Sequence, residues 1–339
     1  MGLVVVQQGQ TYDNEVEFLV NDLGASKIQL PGSKLRFGGK ISLILGSLSD
    51  SLTLLRNSTK INSKDDIVVF SHFSAIVKMF SRLGLIKYHK LYCYGFFIHS
   101  LKWFHLFRLL KYIDTERDHY IVYTHREISL YASKLGIDAR RIHYVPYGDW
   151  TSDRPQVNLE IQVNIHGGDY YFAGGYSNRD YASLISAFSR LSQSLIIICP
   201  KLNKDISEGS LPKNIRVLRE VPDEEFNAYI RQAKACIISL KYDTGAAGLS
   251  TLMRYMRNGK LSIVTDLCGA RDYVEDCVSG YLVHDMSREL PELITQIETN
   301  PELAIEFGKA ARERYVARYS RAAVSPFLKQ FLLGSRSIE

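Results

Sequence analysis

The residues from Ile237 to Val283 constrain the fold of this chain more than any other stretch. They read IISLKYDTGAAGLSTLMRYMRNGKLSIVTDLCGARDYVEDCVSGYLV. An apolar run, Ala235–Leu240, ends at a loop of small residues, Thr244–Gly248, and a helical pattern follows over Leu249–Arg257. A second apolar run covers Leu261–Thr265. This order of strand, glycine loop, helix and strand is typical of half a doubly wound α/β unit.

The small-residue loop has the composition of a phosphate-binding loop. Glycine and alanine allow backbone N–H groups to approach a ligand, and the N-terminus of the following helix adds a partial positive charge. The hydroxyl groups at the start of the helix supply further donors. The predicted ligand-binding residues here are Thr244, Gly245, Gly248, Leu249, Ser250 and Thr251.

The order and spacing of these elements resemble the nucleotide-sugar site of GT-B glycosyltransferases, most closely that of glycosyltransferase family four (group 1). The positions in step with the family are Gly248-Leu249, Met256, Gly259-Lys260, Ile263-Val264-Thr265, Gly269 and Gly280-Tyr281-Leu282-Val283. The family's pair of glutamates, separated by seven residues, is missing, because Ala246 and Arg254 stand at those positions. The resemblance implies an α/β protein with the GT-B fold, in which two Rossmann-like domains face each other across a cleft.

Strand and helix patterns alternate along the chain, which favours parallel sheets covered on both faces. We predict an N-terminal, acceptor-side domain over residues 1–150 and a C-terminal, nucleotide-sugar-binding domain over residues 165–320. The polar segment Gly148–Asp169, which contains Pro155, is the predicted linker. The resemblance implies that the last helix, residues 321–339, returns to the N-terminal domain.

A second glycine loop leaves the predicted strand Tyr170–Ala173. Its glycines admit a diphosphate, and Arg179, expected to be exposed in the loop, clamps it because guanidinium matches phosphate oxygens in bidentate geometry. The alternative is an ordinary turn in which Arg179 pairs with Asp180 at the surface. The predicted ligand-binding residues of this loop are Gly174, Gly175, Tyr176, Ser177, Asn178 and Arg179.

Three residues are predicted to be catalytic: His99, Arg179 and Asp243. Arg179 offsets the charge of the leaving diphosphate. Asp243 bonds sugar hydroxyls in place of the missing glutamate, or only caps its turn. His99 ends the predicted strand Leu91–Ile98, where the family often has a histidine on the acceptor side that bonds a sugar hydroxyl or assists proton movement.

Other polar residues follow predicted strands and are weaker candidates. His72 and His125 stand at strand ends and are either ligand-binding or structural. Asp13, Asn14 and Glu15 follow the first strand, and one of them is a candidate general base; the alternative, which we favour, is that Asp13 or Asn14 caps the helix.

The predicted helix Lys102–Tyr112 combines basic residues with large aromatic ones, which suits a helix lying in a membrane interface. We therefore consider an anionic membrane surface as a partner through Leu101–Tyr112, with a buried helix as the alternative. No motif indicates nucleic acid, although the net charge is +6. Five scattered cysteines favour a reducing cytosol and argue against a zinc site. The absence of a long apolar run or signal peptide also favours the cytoplasm, on the inner face of the plasma membrane if the protein is peripheral.

The sequence thus predicts a glycosyltransferase that moves a sugar from a nucleotide-sugar donor to a glycan or lipid-linked acceptor in surface polysaccharide synthesis. We expect no metal and no cofactor beyond the donor, and retention of the anomeric configuration. Two alternatives remain open: a non-catalytic GT-B subunit that binds a partner transferase or glycan, and a nucleotide-sugar epimerase.

Overall fold

A computed structural model describes residues 2–9, 12–32, 40–70, 73–96, 108–151, 169–201, 203, 206, 209, 211–267 and 269–334; for residues 40–47 and 108 only the backbone is described. The chain divides into two compact units. One comprises the residues up to Val145 together with residues from Ser325 onward, and the other comprises Pro146–Val324. These units are called the N-terminal unit and the C-terminal unit below.

The N-terminal unit contains one parallel sheet. Its described strands are β1 (Leu3–Gln8), β2 (Ser26–Leu30), β3 (Asp66–Phe70), β4 (Leu91–Tyr94), β5 (Asp118–Val122) and β6 (Ile142–Tyr144). Their order across the sheet is β2-β1-β3-β4-β5-β6. The inner strands are continuous apolar runs buried on both faces, as parallel sheets covered by helices require.

Helices cover this sheet on both sides. They are α1 (Asp13–Asn21), α2 (Lys40–Arg56), α3 (Ser74–Arg82) and α4 (His125–Leu135). A capping box fixes the start of α4, because Thr124 accepts from the Glu127 N–H while Glu127 accepts from the Thr124 N–H. Within the N-terminal unit the end of the last helix, which contains Phe331, packs its ring against Tyr92 and His143.

The C-terminal unit contains a second parallel sheet. Its described strands are β7 (Tyr170–Gly174), β8 (Ser194–Cys199), β9 (Ile215–Arg219), β10 (Ala235–Ile238), β11 (Leu261–Thr265) and β12 (Tyr281–Val283). Their order is β12-β11-β10-β7-β8-β9. Chain order therefore reverses between β7 and β10, which lie side by side.

The helices of this unit are α5 (Tyr181–Phe188), α6 (Asp223–Gln232), α7 (Leu249–Arg257), α8 (Met286–Thr299) and α9 (Glu302–Arg318); α10 (Arg321–Gly334) begins here and continues into the N-terminal unit. One apolar core joins β7, β8, β10 and β11 to α5, α8 and the start of α9. The two six-stranded parallel sheets with covering helices confirm the predicted GT-B class of two Rossmann-like domains.

Several elements differ from the sequence prediction. Strand β12 and helix α8 were not predicted. Strand β2 was not predicted, because its sequence SKIQL lies at the sheet edge and alternates exposed with buried residues. Strand β4 ends at Tyr94, so the prediction of a strand continuing to Ile98 is wrong. Of the predicted helix Lys102–Tyr112 the structure describes a 3₁₀ helix over Arg108–Tyr112, and the preceding residues lie outside the described part.

Candidate functional site

The two predicted phosphate loops meet where strand order reverses in the C-terminal sheet. One loop follows β7 and the other follows β10, and a ligand crevice forms at this switch point in doubly wound folds. The loops are joined directly, because the Asp180 N–H donates to the Ser239 carbonyl at 2.9 Å and Arg179 forms an antiparallel bridge with Leu240. Asn178 and Tyr242, which are 64 positions apart, thus belong to one structural surface.

Asn178 is the main side-chain link between the loops. Its Nδ2 donates to the Tyr242 carbonyl at 2.6 Å, and its Oδ1 accepts from the Tyr242 N–H at 3.3 Å. Its own carbonyl accepts from the Lys241 N–H at 3.2 Å. Asn178 has a φ of 57°, a left-handed conformation that asparagine tolerates better than most residues. It therefore holds the second loop against the first.

Arg179 lies beneath these loops with only 6% of its surface exposed. Its Nε donates to the Gly174 carbonyl at 3.1 Å, its Nη1 to the Ser177 carbonyl at 2.9 Å and its Nη2 to Thr251 Oγ1 at 3.0 Å. A guanidinium has five N–H donors. Within the described residues, the remaining donor on Nη1 and that on Nη2 make no hydrogen bond.

The N-terminus of α7 lies beside this guanidinium. Its cap, Gly248, has a φ of 90°, and a Cβ built there would stand 3.9 Å from Arg179 Nη1 and 3.1 Å from Ile238 Cγ2. No side chain caps the helix. In the described part of the chain, the N–H groups of Leu249 and Ser250 reach no acceptor, so they are open to an anion.

Buried tyrosines fix the first loop from below. The Gly174 N–H donates to Tyr255 Oη at 3.2 Å, and Tyr181 Oη donates to the Gly175 carbonyl at 2.8 Å. Burial raises the pKa of both phenols above the ordinary range, so they remain neutral. Gly175 has a φ of 133°, and a Cβ there would collide with the Arg179 guanidinium. The glycine therefore creates the space that Arg179 occupies.

This site lies within the part of the chain that matches a known family. Residues 177–314 match the family model described as glycosyl transferases group 1. The C-terminal unit contains a group 1 glycosyltransferase domain. The predicted family resemblance and the prediction of a glycosyltransferase are thereby confirmed. No curated protein sequence matches the chain.

Solved structures with low sequence identity share the fold over the whole chain. Sucrose-phosphate synthase from Thermosynechococcus elongatus has a TM-score of 0.73 at 16% identity, with 100% of each chain covered. Anabaena Alr3699/HepE in complex with UDP-glucose has a TM-score of 0.71 at 11% identity, covering 98% of this chain and 100% of that one. WaaG, a glycosyltransferase involved in lipopolysaccharide biosynthesis, has a TM-score of 0.60 at 11% identity with the same coverage.

In the group 1 domain, one expectation about Arg179 is corrected. We predicted a loop-exposed side chain, but Arg179 is buried because Gly175 leaves room for it and three acceptors surround it. No contact pairs it with Asp180, which instead caps α5 by accepting from the Ser183 N–H. Arg179 therefore contributes to the structure of the loops, and two of its N–H groups make no hydrogen bond to the described residues.

The other predicted residues of the domain take different positions. Tyr176 and Ser177 are exposed, whereas Thr244 is fully buried. Asp243 Oδ1 accepts from the Gly245 N–H at 3.1 Å, so this carboxylate caps the turn. The two loops and Thr251 come together. The sequence did not predict that the buried side chains of Tyr181 and Tyr255 support the loop after β7, because such contacts between distant residues carry no local signal. Nor did it predict that the backbone of Tyr242 binds Asn178.

Arg254, which stands at a glutamate position of the family, has a structural partner. Its Nη1 pairs with Asp223 Oδ1 at 2.5 Å, and its guanidinium lies 5.4 Å from the centroid of the Phe226 ring. Ala246, at the other glutamate position, is buried. Neither residue replaces a glutamate carboxylate at this site.

Candidates in the N-terminal unit are placed only in part. His99 and His72 lie outside the described residues. His125 is exposed at the start of α4 and stacks on Tyr144, with ring centroids 4.0 Å apart. Asp13 begins α1 and accepts from Gln7 Nε2 at 2.6 Å.

Asn14 and Glu15 belong to the first turn of α1. The N-cap of this helix is Tyr12 and no side chain caps it, so the predicted capping by Asp13 or Asn14 is wrong. Among the described residues, no three of the His, Cys, Asp and Glu side chains are grouped so that they could hold a metal ion. No helix in the same set is both long and apolar enough to cross a membrane.

Proposed function

We propose that this protein transfers a sugar from a nucleotide-sugar donor to a glycan or lipid-linked acceptor without a metal ion. One observation carries the proposal: the open N–H groups of Arg179 lie beside the uncapped N-terminus of α7 at the switch point of the C-terminal sheet. A diphosphate fits such a place, because it combines a fixed cation with backbone donors.

The chemical role of these donors follows from the charge that the reaction creates. Transfer breaks the bond between the sugar C1 and a phosphate oxygen, and the bonding electrons stay on the diphosphate. A bond forms between C1 and the acceptor oxygen, which gives up its proton. Arg179 and the N–H groups of Leu249 and Ser250 would stabilise the departing diphosphate, the role a metal ion fills in other transferases.

Retention of configuration is part of the proposal. Retention needs no protein carboxylate as general base, and Asp13, one candidate base, already accepts a hydrogen bond from Gln7 Nε2. A phosphate oxygen of the leaving diphosphate can then accept the acceptor's proton on the same face of the sugar. Proton NMR of the new linkage tests this step, and an inverted anomeric centre would contradict it.

Relatives supply the first donors and acceptors to test. Anabaena Alr3699/HepE binds UDP-glucose, so uridine nucleotides head the donor panel. WaaG acts in lipopolysaccharide biosynthesis, which supports a surface glycan or its lipid-linked precursor as acceptor. We also propose that the protein works at an anionic membrane surface. Of the segment Leu101–Tyr112 that suggested this, only residues 108–112 are described.

The deciding experiment is a thermal-shift and calorimetry panel of UDP, GDP, ADP and their sugar derivatives. A ligand at a hundredfold excess over its dissociation constant stabilises the folded state by about 2.7 kcal/mol. The proposal predicts that one nucleotide class binds. It also predicts that the double variant Arg179→Lys with Ser250→Pro loses this binding, since proline removes the backbone N–H donor of residue 250. Binding without turnover toward any acceptor would favour the non-catalytic subunit, and an altered free nucleotide sugar would favour the epimerase.

A further inference from the structure

Five large apolar side chains are exposed close together in the N-terminal unit. They belong to the end of α3, the turn after it and the 3₁₀ helix Arg108–Tyr112. Their exposed fractions are 43% for Met79, 65% for Leu83, 49% for Leu85, 58% for Leu109 and 69% for Tyr112. We call this set the apolar tip. A group of exposed apolar residues on adjoining segments marks an interaction site more often than scattered single residues do.

Hydrogen bonds hold the two halves of the apolar tip together. Arg82 donates through Nη2 to the Asp114 carbonyl at 2.9 Å and through Nε to the Ile113 carbonyl at 3.4 Å. Beneath them the buried Lys78 ammonium pairs with Asp114 Oδ1 at 2.8 Å. These contacts join α3 to the segment that follows Tyr112. The tip is therefore a built surface with fixed geometry.

The charges around the apolar tip are mainly basic. Arg82, Lys87, Lys111 and Arg117 are exposed, and Lys111 Nζ lies 5.0 Å from the centroid of the Tyr112 ring. Within residues 79–90 and 109–117, the acidic residues are Asp114 and Glu116. The Asp114 carboxylate is occupied by Lys78 and by Arg141, whose Nη2 lies 2.6 Å from Oδ2. The surface that remains carries an excess of positive charge.

We propose that the apolar tip docks onto an anionic membrane surface. Leucine, methionine and tyrosine side chains enter the boundary between head groups and acyl chains, while lysine and arginine remain among the anionic head groups. This inference deepens the proposed membrane association by naming its surface, and it includes α3 and Leu85, which the sequence patterns did not indicate.

A second protein is a poorer match for the same surface. The five side chains expose on the order of a few hundred Å². A stable protein interface needs about 800 Å² on each partner, with a core depleted of lysine. A small apolar group with exposed lysine and arginine on the same segments suits a lipid head-group layer, where charge attraction adds to a small insertion.

Vesicle flotation tests the proposal. The full chain is mixed with phosphatidylcholine vesicles, with or without phosphatidylglycerol, at two salt concentrations. We expect binding to the anionic vesicles that weakens as salt rises. Leu83→Ser with Leu85→Ser should reduce the binding at least tenfold. Lys87→Gln with Lys111→Gln should reduce it about thirtyfold, since each basic residue contributes about a fivefold factor near such a surface.

A matched control changes two exposed apolar residues of α9, Ile305→Ser with Val316→Ser, and should bind vesicles like the unchanged chain. Equal loss in the control, equal binding to neutral vesicles, or no binding to anionic vesicles at low salt would overturn the proposal. So would a dimer in sedimentation that Leu83→Ser with Leu85→Ser dissociates, because a second copy would then cover the tip. The UDP thermal shift of each variant reports separately on the donor site, and we expect it to be retained.

Discussion

Arg179 Nη2 donates to Thr251 Oγ1 at 3.0 Å, which ties the loop after β7 to the first turn of α7. The bond places a fixed positive charge beside a helix N-terminus, although the two residues are 72 positions apart. The three hydrogen bonds of the guanidinium serve the fold, and two of its N–H groups make no hydrogen bond to the described residues. Under the proposed function, structure and ligand binding are therefore coupled at this residue.

Arg179→Ala should lower both stability and nucleotide affinity. Two backbone carbonyls and Thr251 would lose a charged donor in a buried place, which costs about 2–4 kcal/mol in the free energy of unfolding. Transfer should fall about a hundredfold or more, because a positioned donor to the leaving group is lost. Urea unfolding followed by circular dichroism and donor kinetics measure the two effects.

Thr251→Val is the matched control for Arg179→Ala. It removes one hydrogen bond and keeps the charge, so it should cost about 1 kcal/mol of stability and leave most of the nucleotide affinity. If Arg179→Ala instead unfolds at the same urea concentration as the unchanged chain, the buried hydrogen bonds of Arg179 contribute less to the free energy of unfolding than the structure indicates. Near-normal turnover would mean that the donor site lies elsewhere.

Gly248→Ala should weaken nucleotide binding. The residue has a φ of 90°, and the new methyl group would press on Ile238 Cγ2 at 3.1 Å. A left-handed conformation costs an alanine about 1–2 kcal/mol, and relief of this strain would move the N-terminus of α7. Calorimetry should show affinity for the best nucleotide falling about tenfold, for a 1.4 kcal/mol change.

Gly24→Ala supplies the comparison for Gly248→Ala. Gly24 has a φ of 68°, with nothing within 4 Å of its Cβ position. Its substitution should produce similar strain without disturbing the donor site. Equal loss of nucleotide affinity in both variants would show that the effect of Gly248→Ala is general destabilisation.

Asn178 offers a finer test of loop positioning. Asn178→Gly keeps the left-handed backbone and removes the amide, whereas Asn178→Asp keeps the acceptor for the Tyr242 N–H but loses the donor to its carbonyl. Asp also adds negative charge near the phosphates. We expect the KM for the nucleotide-sugar donor to be lowest in the unchanged chain, higher in Asn178→Gly and highest in Asn178→Asp. A KM for Asn178→Asp at or below that of the unchanged chain would contradict this role.

The glycine loops and α7 could be predicted because their signals are local. Gly248 and Gly259 bracket the helical pattern, and the bounds Leu249–Arg257 agree with the structure. The apolar strands of the C-terminal unit are recognisable for the same reason, since each is buried on both faces.

What could not be predicted depends on contacts between distant residues. The burial of Arg179 requires Thr251 and the missing side chain of Gly175, and the role of Asn178 requires Tyr242, which is 64 positions away. Strand β2 is held by its pairing with β1, since SKIQL is a weak strand pattern by itself. Tertiary contacts thus decide which side chains of the loops face a ligand and which serve the fold.

Acid should destabilise the N-terminal unit through a pair of histidines. His119 Nδ1 lies 2.9 Å from His143 Nε2, and both rings pack among Tyr92 and Phe331. Burial, then the neighbouring His143, lowers the pKa of His119 to about 4, and burial lowers that of His143. As pH falls below about 6.5, these two histidines take up protons in the unfolded chain but not in the folded chain. The stability that the neutral pair contributes is therefore fully present above about pH 6.5 and is lost as pH falls toward 4.

His119→Gln should make the loss of folding stability between pH 7 and pH 5 smaller than in the unchanged chain. Melting temperatures measured at the two pH values report this loss. The pH dependence of each variant must be compared with that of the unchanged chain, because Glu127 adds a pH dependence of opposite sign to all of them. Burial raises the pKa of Glu127 to about 7. Folded Glu127 holds its proton up to that pH, so its contribution is present at low pH and is lost as pH rises from about 4.5 to 7. His125→Gln controls for the loss of an exposed imidazole. If His119→Gln and His125→Gln have the same pH dependence, the buried pair does not set the acid sensitivity.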